Sequence, residues 1–212
     1  MGLPTRDRGS PVSTQIDLPI AGGTVRAAGE LVRRYCGMTG ETWAYPFYDA
    51  VPTSPVVGPV DLLAAGIMHG PIRQEDLEWF VQVRDGMQRL VDALPDDTGL
   101  DDADDATVDT LTSGVLDLGD GRPPSLLTKI IHRHRPRLIV LDERDIGRRY
   151  GSAIDGRGRL PYPRLVHAVR EDMRQPAVRE GLEAIGRELR GLLPVPSRLR
   201  ILDIAVWMDA RR

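Results

Sequence analysis

Between Pro123 and Gly151 the chain reads PPSLLTKIIHRHRPRLIVLDERDIGRRYG, and no other stretch limits the possible folds as much. Leu126, Leu127, Ile130 and Ile131 make one apolar helical face, with Lys129, His132 and Arg133 toward its sides. Ser125 is placed to cap that helix. Pro136 is placed to stop it, because proline has no amide N–H and crowds the preceding turn. Leu138, Ile139, Val140 and Leu141 follow as a short apolar connector; Asp142 then takes the N-cap or first turn of a second helix that Gly151 closes. The same punctuation recurs along the chain, apolar residues at helical spacing cut by Pro or Gly. Only Leu138 to Leu141 is a candidate extended piece, and so short a piece makes no sheet. The expected fold class is mostly α: a single globular helical domain of about nine helices, with little or no β-sheet.

Taken in order, residues 1–22 are expected to be a flexible N-terminal arm and 23–212 the helical domain. Thr24 is placed to cap a first helix carrying Val25, Ala28, Leu31, Val32 and Tyr35, in which Cys36 reads as a small core residue. Trp43 to Pro59 is aromatic and proline-rich, so Trp43, Tyr45, Phe47 and Tyr48 either pack an irregular crossing or wall a pocket. A short buried helix with Leu62, Leu63, Ala65 and Ile67 ends before Gly70. From about Arg73 to Leu94, a longer helix turns Leu77, Phe80, Val81, Val83, Met87, Leu90, Val91 and Leu94 inward, and Gly86 inside it is a close helix contact or a weak point. The Asp-rich segment 96–106 should be a solvated acidic loop, and the spacing of a calcium hand is missing from it. Four more helical segments are expected, over 107–118, 162–173, 176–193 and 198–208, with Asp203 on the last paired to Arg198 or Arg200.

A hydrophobic fraction of 41% over 212 residues is enough for one well-buried core. With Cys36 alone no intramolecular disulfide can form, so a cytoplasmic setting is expected; no run suits a secretion signal or approaches the roughly 20 apolar residues that span a bilayer. Charge is uneven: residues 1–120 hold 8 basic against 20 acidic side chains, and 121–212 hold 20 against 11. The basic half either faces a polyanion or is neutralised by the acidic half. Lys129 is the only lysine among 28 basic residues, a hint that arginine does not serve there. His132 and His134, two apart, make no metal pair and are expected to be exposed. No phosphate loop, dinucleotide glycine pattern, nucleophile elbow or CxxC occurs, and no cofactor or metal is implied.

The segment IVLDERDIGRRYG is similar to the part of helix-hairpin-helix DNA glycosylases that carries their catalytic aspartate. SLLTKIIHRHRP, PVDLLAA at 59–65 and the terminal SRLRILDIAVWM also resemble an uncharacterised bacterial family with that glycosylase-like architecture. The first resemblance implies that Asp142 stabilises positive charge on a deoxyribose, or orients the attacking water, as a flipped base departs. Lys129 is the second catalytic candidate. Arg133, Arg135, Arg144, Arg148 and Arg149 would meet phosphate, and Trp43, Tyr45 and Tyr48 would wall the base pocket. The function this implies is binding of nucleic acid or a nucleotide-like ligand, with hydrolysis of an N-glycosidic bond. The rival reading is a non-enzymatic helical scaffold acting through an unknown protein partner, with Asp142 only capping a helix.

Overall fold

The computed structural model describes residues 15–37, 45–119, 122, 124–155, 158, 160–191 and 194–212. Nine α-helices lie among them: α1 (Ala28–Cys36), α2 (Pro59–His69), α3 (Gln74–Ala93), α4 (Asp105–Gly119), α5 (Ser125–His132), α6 (Arg144–Asp155), α7 (Tyr162–Arg174), α8 (Pro176–Glu188) and α9 (Arg198–Asp209). A π-helical turn, Tyr45–Asp49, precedes α2. The only β pairing among the described residues is an isolated antiparallel bridge between Leu18 and Val25.

Two helices form the interior. Every residue of α5 beyond Ser125 is buried, and α9 is buried on all sides from Leu199 to Val206. A helix apolar around most of its circumference has to be enclosed. The other helices enclose these two: α2 and α4 pack on α5, while α1, α6 and α8 pack on α9. The outer shell is closed by α3 on α4 and by α7 against α4, α6 and α8.

Several local expectations are corrected. The first helix starts at Ala28 behind the left-handed Ala27, and Val25 pairs with Leu18 instead of entering the helix. Leu18 and Ile20, assigned to the loose arm, are fully buried, and the Asp172 carboxylate holds the Ala21 amide at 2.7 Å. The rest of the arm, residues 1–14, lies outside the described residues. Ser125 is the first residue of α5 and no cap; its hydroxyl accepts from the Lys129 ammonium. Gly151 does not close α6, which runs on to Asp155. Leu63, Leu77 and Val81 face outward, Val81 with 75% of its surface exposed. Gly86 is the close contact, because a β-carbon there would stand 2.5 Å from Leu118 Cδ2.

The charge asymmetry is resolved inside the molecule. Asp96 pairs with Arg135, Asp101 and Asp102 each pair with Arg179 and Arg198, and Asp105 pairs with Arg170. Arg170 and Arg174 also donate to the Ala103 carbonyl. The segment expected as a solvated loop is therefore clamped to α7, α8 and α9, with Leu100, Asp101 and Ala103 buried.

Candidate functional site

Four chain segments meet around a cavity of about 1020 Å³: the end of the π-helical turn with residues 50–53, the 97–102 turn, the C-terminal end of α5, and the approach to α9. Pro52, Pro136, Pro194 and Pro196 line the cavity, and Val51, Val195 and Leu199 complete an apolar wall. Proline fixes its own backbone and restricts the residue before it, so this wall is stiff without regular secondary structure.

The other wall is polar and deep. Tyr48 stands between two guanidinia, Arg133 at 5.9 Å and Arg200 at 5.5 Å from its ring centre. Its hydroxyl donates to the Lys129 carbonyl at 2.8 Å and meets His132 Nδ1 at 3.2 Å. Arg133 is consumed by Asp61 at 2.9 Å and by the carbonyls of Tyr48, Val51 and Pro52. Arg200 holds both Asp49 oxygens, Asp203 at 2.6 Å and the Tyr35 hydroxyl at 2.7 Å. A buried charge is tolerated only when paired and fully hydrogen-bonded, and both arginines meet that condition. They build the wall and have little left to give a ligand.

Burial sets the protonation states. It is the largest influence on His132, and Arg200 and Arg133 add to it, so the imidazole is held well below its usual range and stays neutral. Burial also pushes the Asp203 carboxyl up to about 7 against the pull of Arg200, which serves two carboxylates at once. For Asp61, burial acts upward, but the hydrogen bonds from His134, Arg133 and the Gly58 amide outweigh it and hold the carboxyl below the usual range. Among the charged lining residues, Arg137 and Asp97 are exposed and have no ion-pair partner among the described residues.

The catalytic candidates lie elsewhere. Asp142 is buried, 2% exposed, and does not line the cavity; its amide donates to Thr128 Oγ1 at 3.1 Å. Its charge, after burial itself, helps to keep the nearby Tyr162 hydroxyl protonated. Lys129 is equally enclosed, with its ammonium 2.8 Å from Glu143 and 2.9 Å from Ser125 Oγ. The single lysine thus serves as a point charge between one carboxylate and one hydroxyl. Neither side chain lines the cavity.

The remaining site residues are similarly dispersed. Arg135 is spent on Asp96 and on the Val91 and Leu94 carbonyls at the end of α3. Arg149 is paired with Asp209 at 2.5 Å. Arg144 and Arg148 are exposed on α6 with no ion pair among the described residues. Of the aromatics, Tyr48 lines the cavity, while Trp43 and the Tyr45 side chain lie outside the described residues. His132 and His134 are not exposed; both side chains are enclosed, His134 beside Asp61 at 3.3 Å. The Asp203 ion pair forms with Arg200, one of the two expected partners. Among the described residues no group of three or more metal-binding side chains gathers, and no helix is long and apolar enough to cross a membrane.

The model of the family of unknown function DUF6308 matches residues 28–210, nearly the whole helical body. The chain belongs to that family. No curated protein and no solved structure matches this DUF6308 member. The match spans every segment lining the cavity, from Tyr48 to Arg200.

Proposed function

We propose that this DUF6308 member binds a small nucleotide-like ligand in the cavity between the π-helical turn and α9. The observation that carries the reading is the cavity, about 1020 Å³ with one stiff apolar wall and one polar wall of settled charge. Ligand sites of about 300–1,000 Å³, mostly apolar with a few convergent polar groups, are the usual scale for small molecules. A heterocyclic ring fits the proline wall. An anionic group fits Arg137 and the first turn of α9, where the helix presents free amides behind the Ser197 cap. Asp97 at the rim suits a ligand that also carries hydrogen-bond donors.

Hydrolysis of an N-glycosidic bond by Asp142 draws no support from this arrangement, because the carboxylate is enclosed away from the cavity. The reading is one of recognition. Titration of the 15N-labelled protein with AMP, GMP, CMP and UMP tests it. Saturable shifts confined to residues 49–53, 97–102, 132–137 and 194–200 are expected, with Arg137→Ala weakening binding about tenfold through loss of one charge-assisted bond. Absence of saturable shifts with all four nucleotides, or shifts elsewhere, sinks the reading and leaves the helical scaffold with a protein partner.

A further inference from the structure

The cavity wall contains a buried polar atom without a partner, and the chemistry of that atom narrows the ligand; the inference rests on the cavity being the binding site. The Tyr48 hydroxyl has one proton and gives it to the Lys129 carbonyl. Its contact with His132 Nδ1 is therefore one in which the ring nitrogen donates. This arrangement favours the tautomer protonated at Nδ1, in which Nε2 keeps a lone pair. That Nε2 has no hydrogen-bond partner among the described residues, although His132 lines the cavity and is only 3% exposed. A buried acceptor left unpaired is destabilising and calls for a reason.

A general base is not that reason. Burial and two adjacent guanidinia hold the imidazole well below its usual range, and so weak a base gains little in proton transfer at neutral pH. The same neutrality makes a dependable acceptor. We propose that the ligand places an N–H of its heterocyclic ring system on Nε2 of His132, which makes this histidine the residue that selects among bases. Nε2 is out of contact with solvent, so a covering side chain moves aside as the ligand seats while the Nδ1 contact with Tyr48 is kept. Once formed, the bond is screened from competing water, and a ligand lacking the donor leaves the acceptor orphaned. A site of that kind discriminates strongly.

Two measurements test this, with AMP as the probe and purine riboside 5′-monophosphate, which lacks the 6-amino donor, as its matched partner. Long-range 1H–15N spectra of the free protein are expected to show His132 protonated at Nδ1 and bare at Nε2; the opposite tautomer overturns the proposal. On titration, AMP is expected to move the Nε2 resonance saturably and to bind about tenfold tighter than its partner, with His132→Phe abolishing that preference. His132→Gln, which offers a carbonyl oxygen, is expected to restore part of it. If AMP binds in the cavity while Nε2 is unmoved, or the two nucleotides bind equally, the selecting role is wrong and the cavity reading stands. If neither nucleotide binds, the selecting role is wrong, and the cavity reading falls with it only when GMP, CMP and UMP also fail to bind. Should His132→Phe not fold, the Nε2 titration of the unaltered protein decides alone.

Discussion

A neutral histidine locked beside two arginines makes the fold itself sensitive to acid. Unfolded, His132 has an ordinary value near 6.5; folded, burial holds it well below, so below about pH 6.5 the unfolded chain binds the proton that the folded chain refuses. Its contribution is complete above that pH and is lost as pH falls toward the folded value. Asp203 acts in the opposite sense. Its carboxyl, raised to about 7, makes the folded state the better proton binder between about pH 4 and 7, which flattens the acid limb of the whole protein. The histidine is isolated by subtraction. Between pH 6.5 and 5, the stability of the wild type relative to His132→Phe is expected to fall by about 1–2 kcal/mol, the slope steepening toward about 1.4 kcal/mol per pH unit as the unfolded imidazole fills with its proton. Urea denaturation at the two pH values measures it, and a constant difference would mean that the folded imidazole titrates as the unfolded one does. The Asp203 pairing with Arg200 was legible at residue level in the sequence, but the state of His132 was not. His132 and His134 follow an apolar face by one and three residues, and spacing alone puts them at its edge. The aromatic and acidic groups that enclose them come from residues far away in sequence, such as Tyr48 and Asp61.

At the scale of elements, spacing and proline stops located the helices well, because those rules act within a few residues. They failed where an outer helix meets solvent. Leu63 and Val81 have the same local pattern as their buried neighbours, and only the positions of α5 and α4 decide which side is covered. The catalytic reading draws no support for a related reason: an acid between an apolar connector and a helix is compatible with an opening or an enclosed position, and Asp142 is buried. Helix contacts also give a sharp prediction at two glycines. A β-carbon at Gly114 would stand 2.6 and 3.0 Å from the two methyls of Leu90 and 3.3 Å from its Cγ, and Leu90 is buried between α3 and α4. At Gly86 the clash is with one methyl of Leu118, which is only partly buried and can rotate away. Alanine in a helix gains about 1 kcal/mol over glycine, whereas overpacking a fixed core costs about 1–3 kcal/mol. Gly114→Ala is therefore expected to destabilise by about 1–2 kcal/mol and Gly86→Ala to be neutral or slightly stabilising, as thermal melts of the two variants will show. Equal losses would mean that Leu118 is as immobile as Leu90.

For the whole molecule, the question the composition left open was where the basic half directs its charge. The ion pairs answer it inwardly: arginines of α7, α8 and α9 clamp the acidic 97–105 segment, and Arg135 and Arg149 close further pairs. Of the five arginines first matched to phosphate, Arg144 and Arg148 alone are exposed without an ion pair among the described residues. Those two set what this group of five can contribute to polyanion binding. Each phosphate neutralised contributes about −0.9 to the slope of log K against log salt on duplex DNA, so two contacts give roughly −1.8. Fluorescence anisotropy with a short duplex between 50 and 200 mM salt is expected to find weak binding whose slope is shallower by up to about 1.8 in the Arg144→Ala, Arg148→Ala double variant than in the wild type, and an unchanged slope would mean that neither residue meets phosphate. Nucleotide binding in the cavity should survive that double variant unchanged, since neither residue lines it. A slope of about −5 or steeper that persists when the exposed, unpaired arginines are also replaced would require several arginines to leave their internal carboxylates for DNA. The helical body would then have to rearrange on binding, and the closed charge pattern described for the free protein would be only one of its two states.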